Sequence, residues 1–305
     1  MFPTKEAGDY FNNNVILLKY QLDLEDPDGI MEKYSIRAYP TFILVDGDGN
    51  EYVRFLGGAN DTKAFIEKTQ NAIKPENSWA YREAKLQTDP SYTLEHIRHL
   101  NSVYMQDPAK ELLHKYFATR SVTDNFSQES IQLYNTLITD TNSPIIDFML
   151  GHQKEVSEVM GEEQYHSFLI SKANSQIGNK FSRLDIEKPE SLADFESELQ
   201  KINSNPRFKS KYTQFLADNL NHIKSKNIDA IYDNSKKLLP ELGTPDMSMI
   251  ISLNTNAARI LKVSVEQEVS RQRMVALYEI AIETEKETRA LENYKRALDR
   301  LKNPQ

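Results

Sequence analysis

The chain has no cysteine among its 305 residues. It therefore forms no disulfide and offers no thiol nucleophile of its own. No apolar run approaches the roughly 18–20 residues that a membrane-spanning helix needs. Positive charge is not in excess: 37 basic residues face 45 acidic ones, for a net charge of −8, which argues against nucleic acid as a partner. No secretion leader is visible. Gly-x-Ser-x-Gly, the phosphate-binding loop and His-Glu-x-x-His are all missing, and no carboxylate pair stands out for acid–base work. No cofactor is implied.

Glycine is scarce beyond residue 58. Six of the ten glycines lie in residues 1–58 and none lies in 59–150. The first stretch reads as turn-rich and mixed α/β, the remainder as long, polar and helical. Asn71 to Ser78 marks the expected boundary, since Pro75 stops a helix and Ser78 can cap the next. Two domains are expected, 1–74 and 79–305. Beyond the boundary, prolines at 90, 108, 144, 189, 206, 240 and 245 separate stretches of helical apolar period. The pattern predicts helices over 79–88, 92–105, 109–118, 127–138, 143–158, 162–177, 192–203, 207–224, 227–238, 246–261, 265–283 and 286–302. Thr244-Pro245 and Ser191-Leu192-Ala193-Asp194 read as helix starts. In the last helix Leu291, Tyr294, Ala297, Leu298 and Leu301 share one face. Helices of this length and spacing point to a bundle or solenoid, although no 34-residue repeat recurs in full.

Few side-chain groupings suggest chemistry. Asp46-Gly47-Asp48-Gly49-Asn50 resembles the start of a calcium loop, but position six is Glu51 and position twelve is Gly57, so a hairpin turn is the better reading. His96 and His99 sit three apart on a predicted helix, with His114 on the next. Without a clear further ligand they read as ordinary polar positions rather than a zinc site. Trp79, the only tryptophan, stands at the expected boundary and can tie the two parts together by burying its ring.

Residues 36–46 read Ile-Arg-Ala-Tyr-Pro-Thr-Phe-Ile-Leu-Val-Asp. A proline donates nothing to a sheet ladder. Pro40 therefore either opens the strand in trans or holds a cis turn beside a binding site. The apolar run Thr41–Val45, the Asp-Gly turn and the second run Tyr52–Leu56 follow. With the helical pattern from Phe2 to Asn12, the alternating stretch Val15–Asp23 and the closing helix 61–73, residues 2–73 resemble the thioredoxin-like domains of bacterial envelope thiol–disulfide interchange proteins. That resemblance implies an α/β thioredoxin-like domain ahead of a larger all-helical one. It implies a cis Tyr39–Pro40 peptide, with Tyr39 and Pro40 contacting a substrate peptide, and a periplasmic or secreted setting. In the family a strand and a Cys-x-x-Cys motif precede the first helix, so the resemblance also implies that both lie upstream of Met1 and that the domain is incomplete here.

Two functions follow as expectations. The first is a thiol–disulfide oxidoreductase lineage, with the chain as it stands redox-inactive. The second is a binding or scaffold protein that holds a peptide or protein partner, with the helical part carrying the specificity.

Overall fold

Proline and short polar side chains set where the helices begin. Pro144 and Pro189 occupy the first position of theirs, where no helical N–H bond is lost. Asp61, Ser78, Ser121, Ser143, Ser210 and Asn227 each accept a hydrogen bond from a first-turn N–H. The structure, a computed structural model, describes residues 4–21, 26 and 28–303. The chain divides into two compact units, Met1–Leu137 and Ile138–Gln305.

The first unit holds α1 (Lys5–Asn14), α2 (Ile30–Lys33), β1 (Thr41–Val45), β2 (Glu51–Leu56), α3 (Thr62–Ala72), α4 (Trp79–Thr88), α5 (Thr93–Ser102), α6 (Gln106–Ala118), α7 (Val122–Asn125) and α8 (Gln128–Leu137). β1 and β2 form an antiparallel hairpin, with Phe42 opposite Phe55, Ile43 opposite Arg54 and an irregularity between Leu44 and Val45. One face of the hairpin packs on α1 and α3. There Phe65 meets Phe42 at 4.8 Å, Phe11 at 5.7 Å and Phe55 at 6.2 Å between ring centroids. A second apolar cluster under α5–α8 buries Ile97, Leu113, Phe126 and Tyr134.

The second unit holds α9 (Pro144–Gly151), α10 (Gln153–Met160), α11 (Glu162–Ser182), α12 (Pro189–Ser204), α13 (Lys211–Asp218), α14 (Leu220–Lys224), α15 (Ile228–Leu238), α16 (Thr244–Ile260), α17 (Gln267–Thr284) and α18 (Thr288–Lys302). Most helices pack on a sequence neighbour, and α11 also packs on α16. Tyr165, Leu169, Ile177, Leu216 and Ile250 are fully buried. The Tyr165 hydroxyl donates to the Met149 carbonyl at 3.0 Å, which satisfies its polar end inside the core.

This architecture overturns the expected fold class. The protein is mostly helical, and its sheet has two antiparallel strands among the described residues. No α/β thioredoxin core precedes a helical domain. The reason lies in pairing. The expected strand at 15–23 draws its alternation from residue 18 onward, but its described residues are not in a strand, and no strand lies beside them among the described residues. Alternation supplies a face, while a sheet needs a neighbour at ladder distance. Residues 22 and 23 of the expected strand, and residues 2 and 3 of the expected first helix, lie outside the described residues.

Other expectations shift in detail. The boundary read at 71–78 falls inside the first unit, where a single 3₁₀ turn (Pro75–Asn77) joins α3 to α4. Helix 143–158 is two helices meeting at His152, and 207–224 is two meeting at Asn219. Thr244 is the first residue of α16 rather than its cap, and its hydroxyl donates to Glu285 at 2.9 Å. α12 begins at Pro189, ahead of the proposed Ser191 cap, and the Ser191 hydroxyl instead accepts from the Asp185 N–H.

Candidate functional site

The hairpin is held by a turn built around one carboxylate. Asp46 Oδ1 accepts from the Asp48 N–H at 3.0 Å and the Asn50 N–H at 2.8 Å, while Oδ2 accepts from the Asn50 side chain at 3.0 Å. The Asn50 amide and these backbone donors hold the Asp46 carboxyl below its ordinary range. Gly49 closes the turn at φ +79°, a conformation that a side chain would strain. Asp46 thus spends its oxygens on the turn.

On the other face of the hairpin a buried ion pair carries the load. Arg54 is 4 % exposed. Its Nε donates to Glu51 Oε1 at 2.6 Å, one Nη also bonds Glu51, and the same Nη reaches the Tyr34 carbonyl at 2.7 Å. Trp79 donates its indole N–H to Glu51 Oε1 at 2.7 Å. The tryptophan ring lies 5.3 Å from His99 and 6.4 Å from His96. Trp79 therefore couples the hairpin to α4 and α5 within the first unit.

His96 and His99 are held neutral. Burial, the Arg82 guanidinium and the neighbouring His96 lower His99 from 6.5 to about 4, and burial and Arg82 also lower His96 against an opposing pull from Glu83. His96 Nδ1 and His99 Nε2 are buried with no hydrogen-bond partner among the described residues. Below pH 6.5 the unfolded chain takes up protons that the folded histidines refuse. The first unit is therefore expected to lose stability progressively from pH 6.5 to about 4, and no further on this account below that. The loss from His99 is about 2 kcal/mol, discounted for the solvent that still reaches it. Urea unfolding at a series of pH values, with His99→Gln as the comparison, isolates the contribution. An imidazole resonance of His99 titrating near 6.5 in the folded protein would contradict it.

The Tyr39–Pro40 peptide is cis. Pro40 is exposed, and its carbonyl accepts from the Gly57 N–H at 2.9 Å, which ties the turn to the end of β2. Tyr39 is 59 % exposed and its hydroxyl reaches the Met31 sulfur at 3.5 Å. Among the described residues the Tyr39 backbone N–H and carbonyl make no hydrogen bond.

Other exposed apolar side chains lie on the segment that follows α1 and on the hairpin. Ile16 is 92 % exposed and Leu18 70 %, with Leu17, Tyr20, Tyr39, Val45 and Tyr52 also exposed. Val15 anchors the start of this segment in the cluster that Phe11, Phe42, Phe55 and Phe65 build. Residues 16–21 make no backbone hydrogen bond among the described residues. Scattered single exposures need no explanation, whereas apolar residues concentrated on one segment without secondary structure do. Comparison with models of known protein families, with characterised proteins and with solved structures finds no match. The site must be read from its own chemistry.

The segment 16–20, the outer edge of β1 and the backbone of Tyr39 offer unpaired peptide groups beside apolar side chains. Tyr39 and Pro40, singled out in the sequence, sit at this edge. The exposure of Ile16, Leu17 and Leu18 is unexpected from the sequence, because a run of apolar residues reads as a buried strand. The sole sequence signal was the absence of a neighbouring run able to pair with them. No helix among the described residues is long and apolar enough to cross a membrane.

Proposed function

We propose that this chain is a non-enzymatic binding protein that takes an extended peptide segment of a partner by strand addition at the hairpin of its first unit. The observation that carries the reading is the exposed segment Ile16–Tyr20, which makes no backbone hydrogen bond among the described residues and follows Val15 out of the cluster shared with the hairpin, whose first strand has one edge unpaired among the described residues. Strand addition supplies main-chain hydrogen bonds for affinity and alternate side-chain pockets for specificity. It also satisfies backbone groups that a native protein rarely leaves open on an apolar edge.

A random decapeptide display library panned on the purified chain tests the reading. Selected peptides should alternate apolar and polar residues and protect the amides of 16–20 and 41–45 from hydrogen exchange. Leu18→Lys should weaken the best binder roughly tenfold, as expected for an anchor in a small interface. No enrichment, or binders that protect other amides and ignore Leu18→Lys, would end the proposal.

A second reading, a thiol–disulfide oxidoreductase ancestry with its periplasmic or secreted setting, draws on the order of elements from 5 to 72: helix, short helix, the cis Tyr39–Pro40 peptide, hairpin, helix. It concerns descent, since a chain without cysteine has no thiolate to offer. The DNA ahead of the Met1 codon tests it. An in-frame Cys-x-x-Cys would support the ancestry, and any other sequence there would remove its basis.

A further inference from the structure

In the second unit, α15, α16, α17 and α18 enclose a cleft of about 370 Å³. Its charge runs against that of the whole chain. Three arginines line it, Arg271, Arg273 and Arg300, and no carboxylate does, in a protein of net charge −8. Two of the three are spoken for. Arg271 is paired with Glu268 at 2.6 Å and gives its remaining Nη to the Leu301 carbonyl at 3.1 Å. Arg273 is paired with Asp229 and lies over the Tyr232 ring, 5.2 Å from its centroid. Its other Nη is sealed from solvent with no hydrogen-bond acceptor among the described residues, so the Arg273 charge is incompletely offset.

Arg300 remains. Among the described residues its guanidinium has no hydrogen-bond or ion-pair partner, and neither do the Gln267 amide and the Ser270 hydroxyl on the same cleft. The remaining lining includes apolar surface from Ile228, Met274 and Leu301. Three guanidinium groups less the carboxylates of Glu268 and Asp229 leave one unbalanced positive charge. That charge fits a single negative one, beside an apolar wall and two uncharged donors. Field lines converge in such a cleft, where low-dielectric walls strengthen the attraction.

We propose that this cleft binds a small organic monocarboxylate with a compact apolar body. Its carboxylate meets the Arg300 guanidinium, the Gln267 amide and the Ser270 hydroxyl, and its body lies on Met274 and Leu301. A guanidinium pairs with a carboxylate through two parallel N–H···O bonds, which fixes the orientation of the head group. Nothing in this proposal depends on peptide binding at the hairpin of the first unit.

Octanoate, octanol and inorganic phosphate separate the alternatives. Titrated into the full chain and followed by calorimetry and by the methyl resonance of Met274, octanoate should bind at millimolar concentration or below and shift that resonance. Octanol and phosphate should each bind at least roughly tenfold more weakly, since each offers half of the recognition. Arg300→Gln, on an exposed side chain, should weaken octanoate by about tenfold and leave octanol unchanged. Ser270→Ala should weaken it less. The proposal fails if octanoate leaves Met274 unmoved at 10 mM (a concentration on the order of weak fragment affinities), if octanol or phosphate binds as tightly as octanoate, or if Arg300→Gln has no effect.

Discussion

Glu51→Gln is expected to destabilise the first unit by about 3 kcal/mol, because it leaves the Arg54 guanidinium buried without a counter-charge. Arg54 and Glu51 are 3 % and 14 % exposed at their side chains. The amide keeps the side chain's shape and one oxygen for the Trp79 indole, but it removes the charge and turns an NH2 donor toward the Arg54 Nη that Oε2 accepts from, so the loss reads the uncompensated ion together with one broken hydrogen bond. Replacing both partners, as in a Glu51→Leu, Arg54→Leu double variant, should cost less than the single change, since two desolvation penalties disappear together. Denaturant unfolding of the single and double variants closes the cycle. If Glu51→Gln unfolds within about 0.5 kcal/mol of the parent, the ordinary range for an exposed position, Arg54 is reaching solvent and the pair carries no such weight.

Phe65→Ala should have an effect at least as large, about 3–5 kcal/mol. Phe65 is 2 % exposed and its ring touches those of Phe11, Phe42 and Phe55, so one side chain joins α1, the hairpin and α3. Two strands alone are marginal in water, and this aromatic cover is what lets β1 and β2 stay paired. The change should abolish amide protection in Thr41–Val45 and Glu51–Leu56 while α5 and α6, over their own core of Ile97 and Leu113, stay protected. A hairpin that remains protected in Phe65→Ala would show that other contacts hold it.

The helices were legible because their signals are local. A proline at the first turn, a serine that caps it and an apolar face of helical period all lie within one segment, so α4, α8, α15 and α18 stand within two residues of where the sequence puts them. The break at Asn219 carries no proline or glycine at the joint, whereas the one at His152 follows Gly151, a signal that the continuous apolar period across 143–158 outweighed. The sheet was misread for the opposite reason. Strand pairing is non-local, and Val15–Gln21 has the apolar character of a strand with no partner among the described residues. Tyr39 and Pro40 can be singled out from the sequence, but the exposure around the preceding segment depends on that missing neighbour. The arginine cleft could not be read at all. Arg271, Arg273 and Arg300 come from two helices, two more helices close the cleft, and which charges remain free depends on pairings with Glu268 and Asp229.

Trp79 has one more consequence. As the only tryptophan it places the chain's strongest fluorophore entirely in the first unit, while the ten helices from Pro144 to Lys302 carry tyrosine and phenylalanine but no tryptophan. Tryptophan emission therefore reports on half of the molecule, and far-ultraviolet circular dichroism, dominated by helix, reports on both. The distance between the two melting curves measures how far the halves unfold apart, and their coincidence would mean a single cooperative transition. The protein carries, without any added label, an optical marker on one of its two parts.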